Sequence, residues 1–283
     1  MTPRPSLDWR CRDRIIRLGE RTVVMGVLNV TPDSFSDGGA FVDPAAALAR
    51  AEEMIAQGAD LIDLGGESTR PGAEPVARDE EIARTVPVIE KIRARSAVPI
   101  SIDTTKAEVA ERALAAGADI INDVSAFEGD PRMAAVAAES GAGVILMHMK
   151  GAPRTMQDDP TYGDVVAEVA AYLKTRLEFA VANGVARDRL LIDPGIGFGK
   201  TDAHNLALLR GLPTLAKIAP VLIGASRKSL IGRLLARADP SARTAGGLGI
   251  AAWASLNGAC VLRAVSYTHL TLPTMLAQCG WRG

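Results

Sequence analysis

Residues 57–64, Gln57-Gly58-Ala59-Asp60-Leu61-Ile62-Asp63-Leu64, decide the fold, because a helix ends at a glycine there and a buried strand follows at once. The same pattern returns at residues 116–123 as Ala-Gly-Ala-Asp-Ile-Ile-Asn-Asp. Weaker copies lie at residues 140–147 and 257–263. A repeated unit of this kind predicts parallel strands joined by helical crossovers.

Further strands and helices fill the intervals between these units. Asp43-Pro44 is typical of a helix start, with an N-cap residue and proline at the first helical position. Apolar runs predict strands at 23–28, 98–103, 190–193 and 220–224, and amphipathic stretches predict helices at 45–57, 79–95, 106–115, 131–139, 163–182 and 242–256. About eight strands result, the number that closes a (β/α)8 TIM barrel, and a doubly wound sheet is the alternative.

The barrel is expected over residues 21–263, and residues 1–20 are an Arg-rich N-terminal extension. The extension has apolar residues suited to a short hairpin that caps the barrel bottom, namely Leu7, Trp9, Ile15, Ile16 and Leu18. Residues 264–283 show no helical period and contain Pro273, so the final helix of the barrel is predicted to be missing or replaced by an aberrant tail.

The composition excludes several classes of protein. The 283 residues are 48% hydrophobic, enough for a sizeable core, and the net charge of -1 with scattered charges argues against a nucleic-acid patch. Cys11, Cys260 and Cys279 lie far apart, which predicts neither a disulfide framework nor a zinc site and suits a reducing cytoplasm. The sequence shows no apolar signal region and no apolar stretch long enough to span a bilayer.

Polar residues stand at the carboxyl ends of almost all the predicted strands, where barrel enzymes carry their chemistry. Any one of them alone is more often a loop cap than a functional group. Together they predict a polar pocket on one face of the barrel. The strand ends are Asn29, Asp63, Asp103, Asn122, His148, Asp193, Ser226 with Arg227 and Lys228, and Arg263.

Two kinds of chemistry are expected in this pocket. Asp103, Asn122 and Asp193 suit a planar heterocycle with amino and ring N–H donors, and Lys228 can bond a ring carbonyl or nitrogen. On the opposite side, a set of cations and neutral oxygens suits an anion such as phosphate, with a hard cation held by oxygen ligands. That set is Asn29, Thr69, Arg70 and Arg263.

Other motifs are less specific. The stretch Gly195-Ile196-Gly197-Phe198-Gly199-Lys200-Thr201 resembles a P-loop, but it is one residue short, so it predicts only a tight turn close to backbone or ligand. His148 is more often a packed histidine at the core edge than a ligand in such a context. No Ser/His/Asp or Cys/His pairing is evident that would activate a nucleophile.

Several long motifs, in the right order and spacing over residues 9–263, resemble the dihydropteroate synthase family. They are Leu28-Asn29-Val30-Thr31-Pro32-Asp33-Ser34-Phe35-Ser36-Asp37-Gly38-Gly39, Gly65-Gly66-Glu67-Ser68-Thr69-Arg70-Pro71-Gly72, Ser101-Ile102-Asp103-Thr104, Ile121-Asn122-Asp123-Val124, Asp193-Pro194-Gly195-Ile196-Gly197-Phe198-Gly199-Lys200 and Ser226-Arg227-Lys228-Ser229. The resemblance implies a cytoplasmic TIM-barrel homodimer that uses Mg2+. Its expected reaction joins 6-hydroxymethyl-7,8-dihydropterin pyrophosphate to para-aminobenzoate, and sulfonamides compete with the latter.

The resemblance also implies roles for individual residues. Asp103, Asn122, Asp193 and Lys228 are expected to bind the pterin, with Met147 also in the substrate site. Asn29 is expected to ligate Mg2+ beside the pyrophosphate, and Arg263 to hold phosphate. The residues expected around the pyrophosphate or the para-aminobenzoate are Thr69, Arg70, Pro71, Phe198, Lys228 and Ser229. Those expected to carry catalysis are Asp103, Lys228, Arg263 and Asn29.

The resemblance stops after Arg263, because Val265 stands where the family has a histidine. We interpret the remaining tail as a frameshift or a sequence-assembly join, and the alternative is a divergent terminus in which His269 substitutes. Two other functions stay open on the sequence. One is another pterin-binding barrel enzyme, such as a methyltetrahydrofolate-dependent methyltransferase. The other is a catalytically impaired or non-catalytic pterin-binding chain.

Overall fold

Eight parallel strands form a closed barrel in the computed structural model, which describes residues 6–31, 43–68, 73–151, 155–224, 226, 228–237 and 239–264. The barrel closes where its last strand pairs with its first, with Val261 opposite Val23 and Arg263 opposite Met25. The TIM-barrel prediction is therefore confirmed, and the doubly wound alternative is excluded because that sheet would be open. The barrel strands are β3 (Val23–Asn29), β4 (Leu61–Gly65), β5 (Ile100–Asp103), β6 (Ile120–Asp123), β7 (Gly143–Met147), β8 (Leu190–Asp193), β9 (Val221–Ile223) and β10 (Ala259–Ala264).

Helices connect the strands on the outside of the barrel. In chain order they are α1 (Pro44–Ala56), α2 (Arg78–Arg95), α3 (Ala107–Ala115), α4 (Met133–Ser140), α5 (Val165–Ala182), α6 (Asp202–Arg210), α7 (Leu212–Leu215), α8 (Ser229–Leu234) and α9 (Thr244–Leu256). The predicted start of α1 is confirmed, since Asp43 accepts a hydrogen bond from the backbone N–H of Ala45 at 2.8 Å. The sequence patterns did not predict α6, α7 and α8, which are short or weakly amphipathic.

An N-terminal hairpin packs against the barrel bottom. Strands β1 (Leu7–Cys11) and β2 (Arg14–Leu18) pair antiparallel, with Trp9 opposite Ile16. Trp9 is 1% exposed, and its indole N–H donates to the carbonyl of Arg189 at 2.8 Å. Ile15 lies in β2 of this hairpin as expected, but it is 56% exposed and does not contribute to the buried contact with the barrel. Side chains alternate along a strand, and Ile15 therefore faces away from the barrel.

The lower interior of the barrel is a single apolar cluster. It joins Trp9, Cys11 and Leu18 of the hairpin to inward-facing strand residues. The strand members are Val23, Met25, Leu61, Ile120, Ile145, Leu191, Leu222, Cys260 and Val261. Residues i and i+2 of a regular strand face the same side, so Leu61, Ile120, Leu191 and Val261 predict that the residue two positions further on also points into the barrel.

A larger apolar core lies between the strands and the helices, with β-branched and leucine residues of the strands against alanine, valine and leucine of the helices. In the described parts of the chain, no helix is both long enough and apolar enough to cross a membrane. The tail from residue 265 and the residues Thr69, Arg70 and Pro71 lie outside the described residues, so the expectations for them stay predictions.

Candidate active site

The upper interior of the barrel is polar, in line with the strand alternation. Asp63, Asn122, Asp193 and Arg263 each follow an apolar interior residue by two positions, and Asp103 ends β5 at the same level. Asp103, Asn122 and Asp193 are more than nine-tenths buried. The polar groups at the strand ends therefore converge at one face of the barrel, as predicted.

Arg263 is the centre of this polar layer. Its Nε donates to Asp63 Oδ2 at 2.5 Å, and its NH2 donates to Asp103 Oδ2 at 2.7 Å. The amide of Asn122 donates to the same Asp63 carboxylate at 3.2 Å. Arg263, expected on the anion side, thus also contacts a carboxylate of the heterocycle side, and its expected role toward an anion stays a prediction. The barrel is narrow, so a long side chain from β10 reaches carboxylates on β4 and β5.

Burial changes the proton affinity of these groups. The pKa of Asp103 rises to about 7, chiefly because the carboxyl is buried, with Arg263 opposing the shift and Asp63 adding to it. Burial also raises the pKa of Asp193, and Lys228 opposes that shift. For Arg263, burial favours the neutral form, but Asp63 and Asp103 outweigh it and its pKa rises above the ordinary value. The site therefore holds a permanently charged guanidinium against Asp103, whose pKa of about 7 lies close to neutral pH.

Lys228 faces this layer from the loop after β9. Its ammonium lies 4.6 Å from the centre of the Phe198 ring and donates to the carbonyl of Ile196. Loss of solvent lowers the pKa of Lys228 to about 8, and Asp193 opposes that shift. A cationic lysine thus lies between an aromatic face and a backbone oxygen, at the rim of the polar layer.

A cavity of about 1020 Å³ opens over these groups. Six of the predicted site residues line it, namely Asn29, Asp103, Phe198, Lys228, Ser229 and Arg263. Asn122, Met147 and Asp193 are not part of its wall, and all three are buried. The volume is ample for a bicyclic ring with a phosphorylated arm.

The described residues hold no group of three or more His, Cys, Asp or Glu side chains that suits a metal ion. Asn29 is nevertheless a suitable single oxygen ligand, because it is half-buried at the end of β3 and lines the cavity with Asp103 and Arg263. Mg2+ commonly binds through one or two protein oxygens and completes its shell with phosphate and water. The donor set therefore fits Mg2+ only when a phosphorylated ligand supplies the remaining oxygens.

Two side chains near the site received no role from the sequence. Asp63 was recognised as a strand end, but its contacts with Arg263 and Asn122 depend on strands distant in sequence. Lys106 lies between Glu67 and the fully buried Glu81, whose Oε2 is 2.5 Å from the ammonium. This ion cluster ties the loop after β4 to the start of α3, three residues beyond Asp103. No sequence pattern signals such a pairing.

Comparisons with known proteins agree with this geometry. Residues 25–264 match the family described as pterin binding enzymes. The dihydropteroate synthase of Synechocystis sp. is 45% identical over 265 residues, which are 93% of this chain and 92% of that protein.

Solved structures show the same architecture. A Xanthomonas albilineans dihydropteroate synthase with 4-aminobenzoic acid matches with a TM-score of 0.91 and 44% identity, over 99% of this chain and 100% of that one. A Yersinia pestis dihydropteroate synthase in complex with a sulfonamide drug matches with a TM-score of 0.89 and 41% identity, over 96% of this chain and 98% of that one.

Proposed function

The chain belongs to the family of pterin-binding enzymes, and we propose from this premise that it is a dihydropteroate synthase. It joins 6-hydroxymethyl-7,8-dihydropterin pyrophosphate to para-aminobenzoate and releases pyrophosphate and 7,8-dihydropteroate. The observation that carries the proposal is the buried polar layer in which Arg263 bonds Asp63 and Asp103 beneath a large cavity.

The pterin ring is held by Asp103, Asn122, Asp193 and Lys228, and Met147 contributes to the same subsite. A pterin presents adjacent amino and ring N–H donors, which a carboxylate accepts as two parallel hydrogen bonds. Lys228 complements them by donating to a ring carbonyl or nitrogen. The burial of Asp103 and Asp193 supports this role, because hydrogen bonds and charges act more strongly where water is excluded.

Arg263 serves the phosphate end of the same substrate. A guanidinium has five N–H donors, and the two contacts with Asp63 and Asp103 leave three of them for an anion. Both carboxylates hold the guanidinium in place before the substrate arrives, so little reorganisation is needed when negative charge grows on the leaving group. Arg70 and Thr69, with Asn29, complete the surroundings of the pyrophosphate.

The reaction proceeds by departure of pyrophosphate before the amine attacks. The arylamine is a weak nucleophile, so the enzyme gains most by making the pterin methylene carbon electrophilic. Loss of pyrophosphate leaves a cation conjugated with the pterin ring, and ionised Asp103 and Asp193 stabilise that positive charge. Phe198, Ser229 and Pro71 flank the para-aminobenzoate. A strong general base is not required, because the amine attacks a cation and the acidic arylammonium that forms then gives its proton to water or to the released pyrophosphate.

Mg2+ is the proposed cofactor, with Asn29 as its protein ligand. When bound, it supplies neutralising positive charge for the pyrophosphate oxygens. Sulfonamides are expected to compete with para-aminobenzoate, as the sulfonamide complex of the Yersinia pestis relative suggests. Cys11 and Cys260 are buried and form no disulfide, which supports a location of the protein in the reducing cytoplasm.

A homodimer is also proposed. Leu234 and Leu235 lie at the end of α8, Trp253 and Leu256 lie on α9, and all four are large apolar side chains that are well exposed. Exposed apolar side chains on neighbouring helices are typical of a protein interface. Sedimentation of the chain at two concentrations should give twice the monomer mass, and Trp253→Lys should shift it toward monomer.

Pyrophosphate release tests the function directly. With Mg2+ and both substrates, release should depend on para-aminobenzoate and match the amount of 7,8-dihydropteroate formed. A non-catalytic pterin-binding chain would release no pyrophosphate above the background reaction. In a parallel assay with an added methyl acceptor, a methyltransferase would instead transfer the methyl group of methyltetrahydrofolate to that acceptor, and this outcome would also contradict the proposal. Asp103→Asn is the matched control for release that does not come from this site.

A further inference from the structure

The loop after β8 packs backbone to backbone against the segment after β7. Gly195 and Gly199 adopt left-handed conformations with φ of 67° and 62°. A side chain at Gly195 would collide with the carbonyl oxygen of His148, and one at Gly199 with that of Lys150. The two loops are therefore in such close contact that glycine is required at both positions.

Lys200 ends this loop with a side chain that turns back beneath it. Its ammonium lies 2.9 Å from His148 Nδ1, 2.8 Å from the carbonyl oxygen of Phe198 and 3.4 Å from that of His148. The residue is 1% exposed. An ammonium has three donors, and these three acceptors use all of them. The buried ammonium of Lys200 thus joins the loop after β8 to the segment after β7.

The protonation states agree with this arrangement. Burial and the nearby Lys200 lower the pKa of His148 to about 3, so its imidazole is neutral at pH 7 and Nδ1 can accept. Burial lowers the pKa of Lys200 to about 7, and Asp193 opposes the shift. The three acceptors around Lys200 favour its charged form, which coexists with the neutral amine near pH 7, next to a neutral histidine.

The other side of the same loop forms part of the substrate cavity. Lys228 donates to the carbonyl of Ile196 and faces the ring of Phe198. One lysine therefore binds the carbonyl of Ile196, and a second lysine, which is almost fully buried, binds the carbonyl of Phe198. Other side chains bond the backbone of Gly197 and Gly199 on either side of Phe198, and the Phe198 carbonyl itself accepts from Lys200. Lys200 therefore helps to fix the backbone that carries the Phe198 ring.

We propose that Lys200 is a positioning residue for the arylamine half of the reaction, acting through the backbone of Phe198. This inference rests on the proposed function, in which Phe198 flanks para-aminobenzoate and the pterin lies against Asp103, Asn122 and Asp193. Loosening Phe198 should weaken the arylamine site and leave pterin recognition nearly unchanged. A small displacement of a positioned group has large kinetic effects, up to about 100-fold for 1 Å.

Lys200→Met tests the proposal, because it keeps much of the side-chain volume and removes every donor. We expect the KM for para-aminobenzoate, measured at saturating pterin pyrophosphate, to rise about 10-fold. The KM for pterin pyrophosphate should change less than about 2-fold. Hydrogen exchange in the peptide spanning residues 195–201 should become faster. Trp9→Phe is the matched control, since it also removes a buried side-chain-to-carbonyl bond, but at the barrel bottom.

A second pair of variants decides the matter if Lys200→Met does not fold. His148→Asn places an oxygen near the position of Nδ1 and should retain a nearly normal KM for para-aminobenzoate. His148→Leu removes that acceptor and should raise this KM, though less than Lys200→Met. Equal changes in both KM values, or no change in Lys200→Met, would overturn the proposal. Failure of the wild-type chain to form dihydropteroate would instead contradict the proposed function, so the two outcomes are distinguishable.

Discussion

The lower and upper halves of the barrel interior are built from the same strands and have opposite character. On β4, Leu61 belongs to the apolar bottom layer and Asp63 to the polar top layer. On β10, Val261 and Arg263 show the same change. The bottom layer is closed by the hairpin around Trp9, whereas the top layer opens into a cavity of about 1020 Å³.

The barrel thus uses one interior layer to stabilise the fold and the other to form the candidate active site. The bottom layer gains free energy by removing apolar side chains from water, at about 25 cal/mol per Å². The top layer buries ionised groups instead, whose desolvation offsets much of their mutual attraction. We therefore expect substitutions in the bottom layer to lower the free energy of unfolding and substitutions in the top layer to lower turnover.

Trp9→Ala should have the largest effect and act only on folding. It removes a fully buried aromatic side chain and its hydrogen bond to Arg189. The free energy of unfolding should fall by about 3–5 kcal/mol. The kcat of the protein that remains folded should be unchanged. Denaturant titration and steady-state kinetics measure the two quantities, and a large loss of kcat without a loss of stability would contradict the separation of layers.

Asp103→Asn should instead lower turnover and act little on folding. The amide keeps the shape of the carboxyl but removes the charge that stabilises the pterin cation, so kcat should fall by about 100-fold. The affinity for a pterin should change by less than about 10-fold, because several hydrogen bonds remain. Steady-state turnover and calorimetric titration check both values. Turnover close to that of the wild type would contradict the proposed catalytic role of Asp103.

The pH dependence should show two opposite trends in the top layer. The pKa of Asp103 is about 7 in the folded chain, above its ordinary value of 3.8. The folded state thus binds more protons between these values, so the contribution of Asp103 to stability falls as the pH rises from about 4 to 7. Pterin affinity should rise over the same range, because the ionised carboxylate accepts the N–H donors.

Thermal melting and pterin titration between pH 5 and pH 8 measure these trends. The depressed pKa of His148, about 3, acts on stability in the opposite direction, because the folded state then binds fewer protons than the unfolded state. The prediction therefore concerns the difference between the wild type and Asp103→Asn. If that difference does not vary with pH, the proposed ionisation of Asp103 is wrong.

Ser101→Ala should have the smallest effect and probes the boundary between the layers. Ser101 is fully buried two residues before Asp103, and among the described residues its hydroxyl has no hydrogen-bond partner. Removing an unsatisfied buried hydroxyl should raise the free energy of unfolding by up to about 1 kcal/mol. Turnover should stay the same. A clear loss of stability in denaturant titration would show that the hydroxyl belongs to the polar layer.

The strand pattern made much of the fold predictable, and the polar strand ends made much of the site predictable. Leu61 and Asp63, or Leu191 and Asp193, already reveal an apolar position followed by a polar one on the same face. The short helix α8 was not predicted, because its six residues are too few to show a helical period. The contact of Arg263 with Asp103 was not predicted either, since 160 residues separate the two in the chain.

Periodicity and residue type are properties of neighbouring residues, and they were sufficient for the number of strands, the barrel and the polar mouth. Which charge meets which depends on how the barrel closes and on the length of each side chain. Arg263 bonds Asp63 and Asp103 because closure brings β10 close to β4 and β5. Lys106 joins Glu67 to Glu81, and Lys200 contacts His148, because neighbouring strands bring their loops together. Ion pairs form between side chains that are close in space, and the separation of two residues along the sequence does not give that distance.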